Sequence, residues 1–169
     1  MRRSLLLFAL VGGLLCIGCA SGSSVEDGPT HARPATQSAS HKPRQLWLAV
    51  ASPTDANANG YADTFQVIIY LFPDREVSAI PVWAEGSFEF DLRTPEGETI
   101  DRWSFTPEAA QRARQRLAPG PGFSFFLRLA GDQDVRDPVV ANLGVTFIHA
   151  ETGERLVADS AASVRLGGR

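Results

Sequence analysis

Cysteine, methionine, histidine and lysine are all scarce in this 169-residue chain, which has two Cys, one Met, three His and a single lysine, Lys42. Two cysteines are too few for the disulfide framework of a small secreted scaffold. A formal charge of −3 excludes the basic surface that a nucleic-acid binder presents. No apolar run reaches the roughly 20 residues that a helix needs to cross a bilayer. No glycine-rich phosphate loop occurs, and no serine sits in a nucleophile elbow. What remains is ordinary globular material: 44% hydrophobic and 21% charged residues exclude a wholly disordered chain. The length suits one domain with an appendage.

The appendage comes first. Arg2 and Arg3 form a basic start, and Leu5 to Leu15 is uncharged and apolar. At roughly 11–13 residues the run is too short for a stable transmembrane helix and suits a signal peptide. It closes on Cys16-Ile17-Gly18-Cys19 and turns abruptly to Ala20-Ser21-Gly22-Ser23-Ser24. This order of charge, apolar run, small residue and cysteine resembles the lipobox of bacterial lipoproteins, with Cys16 where the family usually has Leu. The resemblance implies that residues 1–18 are removed and that Cys19 is acylated, tying the chain to a membrane of the cell envelope without inserting it. More than one acyl chain is needed for stable anchoring, at about 0.8 kcal/mol per buried methylene. The residue after Cys19 is Ala20 and not the Asp that resembles an inner-membrane retention signal, which slightly favours an outer-membrane address, on its periplasmic face or at the surface. Loss of Arg2 and Arg3 leaves 14 basic against 19 acidic side chains, a charge of −5.

Residues 19–43 read as a tether. Ser, Gly, Pro, Thr and Ala dominate and Val25 is the one large aliphatic side chain between 20 and 43. Such a segment buries too little surface to offset its ordering entropy. A flexible chain of this length reaches about 27 Å. His31 and His41 fall here as isolated, solvated side chains.

Residues 44–169 change period. Leu46, Leu48 and Val50 alternate, as do Phe65, Val67, Ile69 and Leu71; Phe88, Phe90 and Leu92 alternate with Glu89, Asp91 and Arg93. Period two marks half-buried strands. Further strands are expected at Thr99–Phe105, Phe123–Leu129, Leu143–Ile148 and Leu156–Leu166, the last two joined by a hairpin turn at Glu151–Glu154. Seven short strands with Gly and Pro punctuation point to an all-β fold, an immunoglobulin-like antiparallel β-sandwich without the Cys–Trp–Cys hallmark. One connecting helix is expected after Thr106, a capping residue followed by Pro107 and Glu108. Its apolar stripe is Ala110, Ala113 and Leu117, its outward arginines are Arg112, Arg114 and Arg116, and Pro119-Gly120-Pro121-Gly122 ends it.

One motif carries chemistry. In Asp55-Ala56-Asn57-Ala58-Asn59-Gly60-Tyr61-Ala62-Asp63, oxygen side chains stand at positions 1, 3, 5 and 9 and glycine at 6. Hard Ca²⁺ takes six to eight oxygens, which alternate residues of a tight loop can turn inward. The pattern resembles the calcium loop of EF-hands and dockerins. That resemblance implies side-chain ligands from Asp55, Asn57, Asn59 and Asp63 and the backbone carbonyl of Tyr61. Position 12 is Gln66 in place of the bidentate Glu, so binding would be weak, in the ~10⁻⁴–10⁻³ M range. The same residues also favour a long turn, and both readings stand open.

Catalytic groups do not converge in the sequence. His149, the domain's one histidine, continues the inward register of Leu143, Val145 and Phe147. Glu89 with Asp91, or Asp132, Asp134 and Asp137, could serve a metal-assisted hydrolase or carbohydrate-processing module. Trp83, Trp103 and Phe126 could form an aromatic surface. The preferred expectation is a noncatalytic envelope lipoprotein whose sandwich meets a protein or glycan partner, with no nucleic acid.

Overall fold

Alternating apolar side chains become strands wherever they run for more than a few residues. The structure, a computed structural model, describes residues 42–74, 79–130 and 135–167, which fall in the compact unit Thr36–Arg169. Its elements are β1 (Gln45–Val50), β2 (Thr64–Phe72), β3 (Gly86–Arg93), β4 (Thr99–Phe105), α1 (Pro107–Arg112), β5 (Arg114–Leu117), β6 (Gly120–Arg128), β7 (Val139–His149), β8 (Arg155–Val157) and β9 (Ala162–Leu166). Every pairing is antiparallel. One sheet has the order β1-β2-β6-β5, and the other runs β4-β3-β7 with β8 and β9 both paired to β7. The domain is therefore an all-β sandwich with one short helix.

The inward phase is the one read from sequence. Phe65, Val67, Ile69 and Leu71 of β2 are buried, as are Phe88, Phe90 and Leu92 of β3 and Phe123, Phe125 and Leu127 of β6. The sheets meet at Phe88, whose ring centroid lies 4.9 Å from Phe123 and 5.2 Å from Phe125 across the core, and 5.1 Å from Phe147 on its own sheet. Offset and edge-to-face ring pairs at these separations add to the stabilisation from burial itself. At the point where the chain enters the sandwich, Lys42 and Arg44 both pair with Glu154, between β7 and β8.

Three expectations are corrected. The helix stops at Arg112, although Thr106 caps it as read, its hydroxyl accepting from the Ala109 N–H at 3.3 Å. Arg114–Leu117 instead forms β5 on the edge of β6, and the Ala113 carbonyl accepts from Ser124 N–H at 2.9 Å. A helix of two turns is marginal by itself, so hydrogen bonds to a neighbouring strand decide the outcome. Pro119 and Gly120 consequently lie at a β5–β6 hairpin turn, where Gly120 adopts φ +137°. The single strand expected over Leu156–Leu166 is two: the register against β7 slips by two residues between Thr146↔Val157 and Leu143↔Ala162, and Ala158–Ala161 bulges out. The strands accordingly number nine among the described residues.

Truncating the ring that joins the sheets should be costly. Phe88→Ala is expected to lower stability by about 3–5 kcal/mol, read by urea unfolding, because rigid neighbours cannot collapse into the space. A loss below ~1 kcal/mol would show that Phe88 does not organise the core.

Candidate functional site

The Asp55–Asp63 segment is a loop between β1 and β2 that closes on its own backbone. Asp55 accepts from Asn59 N–H at 3.2 Å and from Gly60 N–H at 2.7 Å. Asn57 Oδ1 accepts from Asn59 N–H at 3.0 Å, and Asn59 Oδ1 from Tyr61 N–H at 2.9 Å. The two asparagine contacts are Asx turns, in which a short side chain caps the amide two residues on, while Asp55 reaches further along the loop. The chain can curl this tightly because Ala58 and Gly60 take φ values of 60° and 93°. Only glycine adopts such a backbone without strain, so the strain of the loop falls on Ala58.

Asp63 is placed differently. It is 2% exposed, its Oδ1 accepts from Ala56 N–H at 3.0 Å and Thr64 Oγ1 at 2.9 Å, and its Oδ2 faces Arg128 at 3.5 Å. Burial pushes its carboxyl up, but the hydrogen bonds from Ala56 and Thr64 and the Arg128 charge outweigh that and hold it below the usual value. The loop thus divides into an exposed set, Asp55, Asn57 and Asn59, and a buried anchor that bolts the loop to β2 and β6. Without Asp63, Asp55 offers two oxygens at most and Asn57, Asn59 and the Tyr61 carbonyl one each, short of the six to eight that calcium takes. The donors of the implied site fit calcium only in part. Among the described residues no three His, Cys, Asp or Glu side chains stand together as a metal-ligand group.

The carboxylates read as a possible hydrolytic pair are each matched to cations. Glu89 accepts from Arg155 at 2.5 Å, and Asp91 pairs with Arg93 at 2.7 Å and Arg102 at 3.4 Å. The Arg93 hydrogen bond holds the Asp91 carboxyl below its ordinary value. Both acids lie on the outer face of the β3 sheet. Asp137 is exposed; Asp132 and Asp134 lie outside the described residues, as do Cys19, His31 and His41. His149 is half-buried, its Nδ1 accepting from Glu151 N–H at 3.3 Å. A cavity of about 140 Å³ beside α1, lined by Ala84, Glu85, Glu108 and Arg114 among others, is well below the ~300 Å³ of a typical small-molecule pocket.

The expected aromatic trio does not form one surface. Trp83 is half-buried, donates from Nε1 to the Gly122 carbonyl at 3.1 Å, and lies under the guanidinium groups of Arg114 and Arg116 at 6.0 and 5.6 Å. Trp103 donates to the Arg128 carbonyl at 2.9 Å and meets Phe65 edge-on. Only Phe126 is exposed, at 68%.

A different aromatic surface is present. The outer face of the β1-β2-β6-β5 sheet carries Trp47, Ile68, Tyr70, Phe72, Leu117 and Phe126. Trp47 is 61% exposed, packs edge-on against Phe72 at 5.8 Å and stands opposite Tyr70 in the β1–β2 register. Gly122 makes room there: a Cβ on it would come within 3.0 Å of the Tyr70 ring and 3.1 Å of Leu117. Gln66 donates to Ser124 Oγ at 2.7 Å in the middle of the face, Gln45 and Gln115 flank it, and no strand residue directed outward from this sheet is acidic. The signal was legible in Val67-Ile68-Ile69-Tyr70-Leu71-Phe72, which is apolar in both phases. A continuous apolar run marks a strand with something to cover on each side. The other sheet's outer face carries the Glu89–Arg155 and Asp91–Arg93–Arg102 pairs instead.

The chain matches no family model, no curated protein and no solved structure.

The Asp63 anchor makes stability depend on pH. A carboxyl whose folded value lies below its unfolded value of ~3.9 adds stability above that pH and loses it as pH falls through the folded value. Asp63→Asn is expected to cost about 1–3 kcal/mol at pH 7, with the gap to wild type narrowing as acidification proceeds below about pH 4. Urea unfolding of both proteins at neutral and acidic pH measures the gap; a constant gap would remove the anchoring role of the charge.

Proposed function

We propose that this chain is a noncatalytic cell-envelope lipoprotein, anchored through acylated Cys19, whose sandwich is a binding module presenting the outer face of the β1-β2-β6-β5 sheet. The observation that carries the reading is the contrast between the two outer faces. One carries matched ion pairs; the other holds an uncharged aromatic cluster that is largely exposed at Trp47 and Phe126. Contiguous exposed apolar surface on a soluble domain marks an interaction site. The anchor reading rests on the Arg2–Cys19 segment. No helix among the described residues is long and apolar enough to cross a membrane, and attachment by lipid requires none.

We also read the sandwich as immunoglobulin-like. Its strand order supports this: β1, β2, β6 and β5 follow the A, B, E, D order of the constant-type fold, and β3, β7 and β8–β9 follow C, F, G, with β4 added beside β3. The fold serves many functions and argues for none by itself. The alternative of a metal-assisted hydrolase has less support, since Glu89 and Asp91 face outward and are neutralised by arginines.

Calcium at the Asp55–Asp63 loop is the second reading, supported by the alternate oxygens of Asp55, Asn57 and Asn59 in one curled loop. In this reading these side chains and the Tyr61 carbonyl hold the ion and Asp63 serves as the anchor beneath, a departure from the ligand role that the family resemblance implies. The ion would stiffen an inter-strand loop.

Two experiments test these proposals. Mass spectrometry of the membrane-extracted protein should find Cys19 as an acylated N-terminus, and Cys19→Ser should move the chain to the soluble fraction; a retained leader or an unmodified Cys19 would sink the anchor. The unfolding midpoint should rise on going from EDTA to ~10 mM Ca²⁺, a concentration well above the weak-site range, and Asp55→Ala should abolish that rise. An unchanged midpoint in wild type would leave the loop as a turn.

A further inference from the structure

We infer that the aromatic face binds a single uncharged polysaccharide strand, laid diagonally across the sheet from Trp47 to Phe126. This rests on, and sharpens, the reading of that face as the binding surface of the module.

The geometry sets the shape of the occupant. Trp47 stands opposite Tyr70, while Phe126 stands opposite Gln66. The two most exposed rings are therefore four residues apart along β2 and on the strands that flank it. At ~3.4 Å per residue and ~4.8 Å between strands, their backbone positions are roughly 17 Å apart. A ligand that touches both is extended, and nothing between the rings obstructs it. Ala49, Ile68 and Ser124 occupy the intervening row, and Ser124 is buried in the sheet surface. The cavity beside α1 lies elsewhere, lined by Ala84, Glu85, Gly86, α1 and Arg114.

Area argues against a second copy of the chain. Four strands about 4.8 Å apart and at most nine residues long outline roughly 19 × 30 Å, about 570 Å². The two outer strands are shorter, at six and four residues, so the planar footprint is smaller still. A standard protein interface needs about 800 Å² from each partner. A bilayer fits poorly for a different reason: the Gln66–Ser124 hydrogen bond lies in the centre of the face and would be carried into an apolar phase together with Gln45 and Gln115 at its margins.

Charge and chemistry select a sugar chain. The outward-directed strand residues include no acid, and the one cation among them, Arg128, faces Asp63. The face therefore offers an ionic polymer one charge at most, and that one is already matched to Asp63. A pyranose presents an apolar C–H surface to a ring and hydroxyls at its edge. Trp47, Tyr70 and Phe126 supply rings whose π faces attract such polarised C–H groups, and the Tyr70 hydroxyl and the glutamine carboxamides supply donors and acceptors.

The test is calorimetric titration of the full mature chain, in a detergent without a sugar headgroup, with cellohexaose, N-acetylchitohexaose and, as a charged control, hexagalacturonate. At least one uncharged hexasaccharide should bind and the anionic one should bind more weakly. Trp47→Ala and Phe126→Ala should each weaken binding about tenfold or more, as truncation of an anchoring aromatic does. Val140→Ala, which trims an exposed aliphatic group on the other sheet, should leave binding unchanged. All three side chains are exposed, so unfolding midpoints close to wild type should accompany these results.

The inference is overturned if neither uncharged sugar binds at millimolar concentration, or if both aromatic variants bind like wild type. Two further outcomes overturn the sugar while keeping the face: Trp47-dependent partition into phosphatidylethanolamine–phosphatidylglycerol vesicles, or a Trp47-dependent dimer in sedimentation. If Trp47→Ala and Phe126→Ala change none of these measurements, the face itself fails as the binding surface.

Discussion

The Phe88 ring is the constraint on which the rest of the structure depends. It projects from the centre of β3 into a nest made by Phe123 and Phe125 of the opposite sheet and Phe147 of its own. Two antiparallel sheets can bury a common face only if their inward side chains interdigitate at close-packed density. Once that contact sets the inward phase of β3 and β6, side-chain alternation sets the phase of everything paired to them. Phe65, Val67, Ile69 and Leu71 must point in, and Ile68, Tyr70 and Phe72 must point out. The aromatic outer face is thus a consequence of the core register, since a slip of one residue would exchange the two faces.

The two outer faces then take opposite chemical characters. On the β3 sheet, Glu89 and Asp91 meet arginines from β8, β3 and β4, a pattern that keeps a face solvated and adds little to stability per pair. On the β2 sheet, rings and carboxamides replace the charges, and Gly122 recesses the surface so that Tyr70 and Leu117 can lie across it. The β1–β2 loop stands at one end of this sheet, where Asp63 links it to Thr64 of β2 and Arg128 of β6. Loop and face are therefore mechanically joined through Asp63. Stiffening the loop would steady the end of the sheet nearest Phe126, two residues from Arg128.

Much of the fold was legible because burial leaves a periodic trace. The alternation in Phe65–Leu71, Phe88–Leu92 and Phe123–Leu129 identified the inward residues correctly, and Thr106-Pro107-Glu108 marked the helix start. The helix end was not legible. Ala110, Ala113 and Leu117 do have helical spacing, but Arg114–Leu117 had a better partner in Gly120–Phe123, and local propensity yields to a paired strand edge. The division of Leu156–Leu166 into β8 and β9 was hidden for a related reason, because a two-residue register slip depends on how β7 is already held by β3. Among candidate site residues, Asp55, Asn57 and Asn59 did gather in one loop as their spacing implied. Asp63 is tied to the same loop at Ala56 but is buried, and its neighbours include Arg128, distant in sequence.

By itself the sequence determined what is local or periodic: the inward face of the main strands, the cap of α1 and the self-closing loop at Asp55–Gly60. Each follows from interactions within a few residues, or from a period that survives without knowledge of the partner. Tertiary structure alone decided which strands became neighbours, that Asp63 would be a buried anchor beside Arg128, and that Trp47 and Phe126, 79 positions apart in the chain, would share one sheet face. Those are pairings of distant residues, and they are specified by register and packing between sheets, which no short window of sequence contains.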